Sequence, residues 1–360
     1  MLALVSMESL IPKDHPLRRV KPLADEALRE LSPLFDAMYA SVGRPSIPPE
    51  HLLKASLLMA LYSVRSERMF CEQLGYNMLF RWFLDMEMRD APFDPTVFSH
   101  NRKRLLERDV AGRFLATVVE GARKRGLMSS EHFAVDGTLI EAAASFKSFQ
   151  PKGEDYDANG FADFHGTQRK NDTHESKTDP EAKLYRKSRG REAKLSYMGH
   201  VLTENRNGLI VDFEVTQATG TAERDAAIAL AERVQAAREA RRRRKQKRRA
   251  KKQSKRRPRM TLAADKGYDT KDFIRRCRAR GITPHVARKD NSIVDGRTTR
   301  HRGYRASQIK RLLTEKVFGW KKTVGGFRRT PFIGLQRTRA AALMVAAAYD
   351  LLRISNILAA

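Results

Sequence analysis

The sequence predicts an α/β protein, a mixed-sheet domain preceded by an all-α N-terminal domain, and three observations predict it. Apolar residues recur at helical spacing through the first 128 residues. From Glu131 onward, short apolar and β-branched runs alternate with helical ones. Two of those runs, and one late helix, each carry a carboxylate in otherwise apolar or basic surroundings.

The helices come first. Pro48 and Pro49 precede Leu52, Leu53, Leu57, Leu58, Met59 and Leu61, which reads as a helix with proline in its first turn, where the missing N–H costs nothing. A second helix is expected over Glu67 to Asp85. Asp94-Pro95 reads as an N-cap followed by proline at the first position, opening a helix through Phe98, Arg102, Leu105 and Leu106. Gly126 can end the next helix after Val118, Val119 and Arg123. Residues 1–128 are therefore expected to form a module of four or five helices. Within it, the segment from Asp94 to Arg108 carries Asn101, Arg102, Lys103 and Arg104, which could touch phosphates or equally form a solvated face, a scaffold or a dimer contact.

Residues 129–360 change pattern. His132 to Ile140 has the apolar, branched composition of a buried central strand, yet Asp136 lies in its middle, which is costly unless the charge is paired or binds a metal. Residues 147–195 are poor in apolar side chains and read as a long polar surface insertion. Leu195 to Glu204 and Leu209 to Gln217 read as two strands joined by Asn205-Arg206-Asn207-Gly208, a hairpin signal. Thr221 can cap an alanine-rich helix that runs into Arg241 to Arg259, where 14 of 19 residues are Lys or Arg. Such a segment repels itself and is expected as a solvated helical extension or a disordered arm open to non-specific contact with a polyanion. Met260 to Ala264 reads as a strand ending at Asp265, Asp272 to Arg280 as a helix, and Ile282 to Ala287 as a strand. Lys310 to Phe318 starts the helix that bears Glu315, the only glutamate in the last 121 residues. Strand, hairpin, helix, strand, helix, strand, helix is the layout of a ribonuclease H-like fold.

Composition narrows the partner. Lys plus Arg outnumber Asp plus Glu by 70 to 42, a formal charge of +28, so the surface attracts polyanions. Cys71 and Cys277 stand far apart with no Cys-x-x-Cys pair, which argues against a disulfide framework or a thiolate zinc site and fits a reducing cytosol. The first eight residues lack a basic segment followed by a long apolar one, so no signal peptide is expected. The apolar runs at Ala340 to Leu352 and Leu57 to Val64 fall short of about 18 residues, and no membrane span is expected.

Taken singly, Asp136 can be a buried paired acid, Asp265 a helix cap, and Glu315 a surface partner of Arg311 or Lys322. Asp269 and Glu141 are nearby competitors as ligands. The runs around these residues, in their order, decide otherwise. Ile11-Pro12-Lys13-Asp14-His15-Pro16-Leu17, Asp94-Pro95-Thr96-Val97-Phe98-Ser99, Asp136-Gly137-Thr138-Leu139-Ile140-Glu141-Ala142, Asp265-Lys266-Gly267-Tyr268-Asp269 and Phe318-Gly319-Trp320 resemble bacterial insertion-sequence transposases of the DDE class. The resemblance is to the group whose catalytic Glu lies in a Tyr-x2-Arg-x3-Glu-x6-Lys signature. Arg311, Glu315 and Lys322 match that spacing, while Gln308 stands in place of the tyrosine.

The resemblance implies an enzyme that binds terminal inverted repeats and performs metal-dependent strand cleavage and strand transfer on double-stranded DNA, its own element's ends and the target. It implies catalytic and metal-binding roles for Asp136, Asp265 and Glu315, with two Mg²⁺ ions for which Mn²⁺ can substitute. It also implies DNA contacts from Gln308, Arg311, Lys321, Lys322, Lys266 and Arg102, and a homodimer on DNA in the bacterial cytoplasm, associated with the nucleoid. The competing readings are a catalytically inactive or domesticated DNA-binding relative and a structural RNA-binding protein.

Overall fold

The computed structural model describes residues 6–39, 46–152, 169–186, 190, 192–248 and 259–360. The N-terminal part holds α1 (Met7–Leu10), α2 (Leu17–Asp36), α3 (Pro49–Leu61), α4 (Glu67–Leu74), α5 (Met78–Phe83), α6 (Thr96–Glu107) and α7 (Val110–Lys124). The single helix expected over Glu67 to Asp85 is two. Gly75 closes α4, and the Asn77 side chain accepts from Phe80 N at 3.1 Å to start α5. Asp94 does gather the first donors of α6, accepting from Thr96 N at 2.8 Å and Thr96 Oγ1 at 2.7 Å. Gly126 follows α7 in the left-handed region at φ +72°, where a side chain would be strained.

The sheet then begins. β1 (His132–Glu141) pairs antiparallel with β5 (Lys194–Glu204), which pairs antiparallel with β6 (Ile210–Gln217). On the other side, β1 pairs parallel with β7 (Met260–Ala264), and β7 pairs parallel with β8 (Ile282–Val286). The order β6-β5-β1-β7-β8, with its change from antiparallel to parallel at β1, is that of a ribonuclease H-like fold. Short crossovers cannot join parallel neighbours, so helices do. α8 (Ala222–Arg248) runs between β6 and β7, and α9 (Lys271–Ala279) between β7 and β8. α10 (Gly296–Arg300), α11 (Arg302–Lys310), α12 (Leu312–Lys322) and α13 (Leu335–Ala359) complete the chain.

One expectation is corrected, and two others meet the structure as follows. The polar stretch 147–195 is partly built into the fold: β2 (Phe149–Pro151) pairs with β3 (His174–Ser176), and β4 (Lys183–Tyr185) adds to β5. Phe149, Ser176, Asp179 and Ala182 are buried, and Tyr197 donates to Asp179 Oδ1 at 2.6 Å. A few well-placed anchors suffice where average composition looks unfavourable; residues 153–168 lie outside the described residues. Of the basic segment, Arg241 to Arg248 continues α8, and 249–258 lie outside the described residues.

α13 bears on the expectation that no segment spans a membrane. Although no unbroken apolar run reaches 18 residues, its 25 residues are long and apolar enough, as a window, to cross a membrane. The helix instead packs on α7, α3, α2 and β6, with Leu343, Ala347, Leu351 and Ile354 buried. Asp350 in its middle accepts from Ile210 N at 2.8 Å. α13 is thus the interior element that joins the helical module and the sheet into one apolar core.

Candidate active site

Asp136 and Asp265 are brought together by strand register. Ala134 pairs with Ala263 across the parallel β1–β7 ladder, so two residues further on Asp136 comes level with Asp265, on the same sheet face. Asp136 is half-buried and accepts from Gly137 N at 2.8 Å. Its carboxyl is pushed up to about 6, chiefly by burial, with the carboxylates of Asp265 and Glu223 adding to the push and Gly137 N–H and Arg311 opposing it. Asp265 follows the last residue of β7, half-buried, and accepts from Gly267 N at 2.7 Å. In that position it also caps the short turn Lys266–Tyr268. The cap and the ligand readings of Asp265 are therefore compatible.

Glu315 sits apart from this pair in the present structure. It is exposed on the first turn of α12, and among the described residues no group of three or more His, Cys, Asp or Glu side chains is arranged to hold one ion. The helix itself is well placed. Thr314, fully buried, meets Thr203 Oγ1 at 3.1 Å, and Thr203 is the β5 partner of Ala134, so the start of α12 lies over the face that carries Asp136. Arg311, at the junction of α11 and α12, acts electrostatically on Asp136.

The residues expected on DNA divide. Lys266 is exposed beside Asp265. Arg311 is half-buried, and its Nε is enclosed without a hydrogen-bond partner. Gln308 donates through Nε2 to His285 O, which ties α11 to β8. Lys322 is half-buried and lines a cavity of about 710 Å³ between α3, α6 and α13. Arg102, at another wall of that cavity, pairs with Glu67 and lies over the Phe332 ring at 4.9 Å, so it holds two parts of the protein together. Lys321 is a correction. Only 2% exposed, its Nζ lies 3.6 Å from the Phe213 ring centre and 4.9 Å from that of Phe327, out of reach of any phosphate.

The competing ligands are accounted for structurally. Asp269 is buried and accepts from Lys289 N at 2.7 Å and Ser292 Oγ at 2.8 Å, while Thr270 is the cap of α9. Glu141 pairs with Lys194 at 3.1 Å. Phe318 is buried, and Trp320 packs edge-on to Tyr349. Glu223 is the acid near Asp136 that the sequence did not single out. It follows the first residue of α8, where an acidic residue is unremarkable because the helix dipole favours it.

Comparison with known proteins agrees with this geometry. Residues 128–351 match a family described as a transposase DDE domain, and residues 5–104 match one described as a transposase domain (DUF772). The chain belongs to the DDE transposase family. It is therefore an enzyme of the DDE type that acts in DNA transposition. Among solved structures, a pre-cleavage Mos1 transpososome is 11% identical over 87% of this chain and 81% of that one, with a TM-score of 0.21. A Mos1 mariner paired-end complex with Mn is 12% identical over 83% and 85%, with a TM-score of 0.22. At such low superposition the strand order, not these neighbours, carries the fold of this transposase. No curated protein matches the chain.

Proposed function

We propose that this transposase cuts and rejoins DNA at the terminal inverted repeats of its own element, using Asp136 and Asp265 to hold divalent cations and Glu315 to complete the site once DNA is present. The observation that carries the reading is the parallel register that sets two half-buried carboxylates side by side with one backbone N–H apiece. Such a pair suits hard cations, Mg²⁺ with Mn²⁺ able to substitute, because added positive charge relieves the mutual repulsion. Two bound ions would activate the attacking water or 3′-hydroxyl and stabilise the leaving oxygen.

The chain's own groups supply the rest. Lys266, exposed beside Asp265, and Arg311, near enough to act on the Asp136 charge, bring cations to the phosphate flanking the scissile bond. Arg241 to Arg248, continued by the basic residues up to Arg259, adds non-specific affinity through phosphate contacts. End recognition falls to the helical module of residues 1–128, because phosphate contacts position DNA but do not read it. The working form is a homodimer on DNA in the bacterial cytoplasm.

The test is strand cleavage of terminal-repeat duplex with Mg²⁺ by Asp136→Asn, Asp265→Asn and Glu315→Gln. Each is expected to lose activity by about three orders of magnitude, in line with removal of a group that acts in the transition state. Duplex affinity should stay within about threefold. Asp269→Asn, a buried structural acid, is the control for loss through folding. Near wild-type cleavage by Asp136→Asn or Asp265→Asn sinks the proposal for that residue.

A further inference from the structure

α7 and α8 bring three guanidinium groups together. Arg241, late in α8, meets Glu120 of α7 at 3.5 Å. Arg238 stands three residues before Arg241 on α8, and Arg123 three residues after Glu120 on α7, so each lies about 60° round its helix from that contact. Arg123, Arg238 and Arg241 are all half-buried. The cluster is away from the carboxylate pair. A β-carbon placed on Gly137 would stand 2.6 Å from Glu223 Oε1, and successive strand residues point to opposite faces, so α8 covers the sheet face opposite to the one that carries Asp136.

The three groups are crowded rather than paired. Burial, then the charges of Arg241 and Arg238, hold the Arg123 guanidinium down to about 10, with Glu120 opposing the fall. Burial and Arg241 likewise lower Arg238, against Glu131 and Glu239. Among the described residues neither Arg123 nor Arg238 makes a hydrogen bond or an ion pair. Their neighbours do. Lys124 and Arg125 pair with Glu30 at 2.7 Å and Glu26 at 2.5 Å, and Arg233, earlier on α8, pairs with Asp212 and Glu214 at 2.7 Å each. The helix dipole favours a cation in the last turn of α7, which accounts for Arg123 alone but not for two arginines of a second helix set against it. Converging guanidinium forks short of carboxylates suit a phosphate, whose oxygens accept two N–H bonds from one fork.

We infer that Arg123, Arg238 and Arg241 form a phosphate site for the backbone of duplex DNA, fixed where the helical module meets α8 and separate from the divalent-cation site. The inference goes beyond the proposed strand chemistry and does not depend on the Asp136–Asp265 pair. It also differs from contact by the basic segment that starts at Arg241. Two helices joined through Glu120 and Arg241 give this site its shape, and Arg123 lies outside the basic segment altogether. The DNA it holds is a stretch other than the scissile step, and the site adds affinity without reading bases.

The test is the affinity of the full-length protein for duplex DNA, measured by fluorescence anisotropy over a range of salt. Arg123→Gln is expected to weaken binding at least about threefold at fixed salt and to lower the slope of log affinity against log salt by about 0.9, for terminal-repeat and scrambled duplex alike. Lys124→Gln removes the same charge one residue along, from a group that has its own carboxylate, and should leave the slope unchanged. Inorganic phosphate without DNA should raise the melting temperature of the wild type more than that of Arg123→Gln. Protection by phosphate with no change of duplex slope in Arg123→Gln would assign the cluster to a free anion and overturn the inference. Arg123→Gln itself should melt no lower than wild type, because it removes one of three charges that repel each other; if it does not fold, Arg238→Gln on the other helix decides. An unchanged slope in the folded arginine variants, or an equal fall in Lys124→Gln, also overturns the inference.

Discussion

Glu204 and Asp136 are acids on adjacent antiparallel strands of one sheet, and they are treated in opposite ways. Glu204, fully buried at the end of β5, has its carboxylate filled by backbone: Oε2 accepts from Ser129 N and Arg206 N at 2.8 Å each, and Oε1 from Asn207 N at 2.7 Å and Leu209 N at 3.2 Å. Asp136 accepts one backbone N–H and is pushed by two other carboxylates. The first arrangement closes the hairpin and docks the Met128 segment on it. The second costs stability and is open to an incoming cation. Burial alone does not separate a structural acid from a functional one; what separates them is whether the protein itself supplies the donors.

The largest effect on the structural side of this contrast should come from Glu204→Gln. One oxygen becomes an amide donor that faces two backbone N–H groups, so two charge-assisted bonds are lost and two buried donors are left unpaired. A loss of about 3 kcal/mol is expected from urea unfolding. Cleavage per folded molecule should be unchanged. A specific activity that falls with stability intact would place Glu204 in the chemistry and break the contrast.

The next effect is a pH dependence. Asp136 titrates at about 6 in the folded protein against a usual value of 3.8, so between those values the folded state holds more protons than the unfolded one. Stability contributed by the protonated group is therefore full below about pH 4 and lost as pH rises through about 6. The full shift corresponds to roughly 3 kcal/mol, reduced to about 2 by the solvent that reaches this half-buried group. Buried His200 and His285, held down at about 4, act with the opposite sign and lose stability as pH falls below 6.5. Comparing wild type with Asp136→Asn in chelator cancels the histidines. The variant should gain relative stability by about 2 kcal/mol between pH 4 and 7, and a flat difference would show that Asp136 is not strained by its neighbours.

The carboxylate pair was legible in the sequence because Asp136 interrupts an apolar strand run, where a charge is expensive and demands a reason, and Asp265 ends another. The β5–β6 hairpin was legible from Asn207-Gly208, and Gly208 does adopt φ +73°. Glu223 was not legible, since its neighbours in the chain describe an ordinary helix start and only the tertiary contact with Gly137 reveals which way it turns. The partition of Lys321 and Lys322 was equally hidden. Both sit in the last turn of α12, where cations favour the helix dipole, and a difference of one residue, about 100° around the helix, sends Lys321 into the core. α13 shows the same limit: a helix long and apolar enough to cross a membrane is a core element here, its one acid satisfied by a strand N–H.

Lys321 also tests how far the contrast extends, because it too is a buried group that the protein leaves unfilled. Its Nζ has no hydrogen-bond partner, and burial first, with Lys322 second, drives its pKa well below the usual lysine value. The two sites differ in access. Asp136 is only half-buried, on the central strand β1 just past its last pairing with β7, whereas Lys321 is enclosed by Phe213 and Phe327, whose ring faces are the attraction the structure offers it. An unfilled polar group marks a site only when a ligand can reach it, so Lys321 should be a cost without a function. Lys321→Met, which keeps the length and fills the same space, is expected to raise stability by about 1 kcal/mol. Duplex affinity and its salt dependence should not change, because a cation that touches phosphate would lower the slope of log affinity against log salt by about 0.9 when removed. A measurable flattening of that slope would return Lys321 to the DNA-binding surface and require α12 to open in the complex.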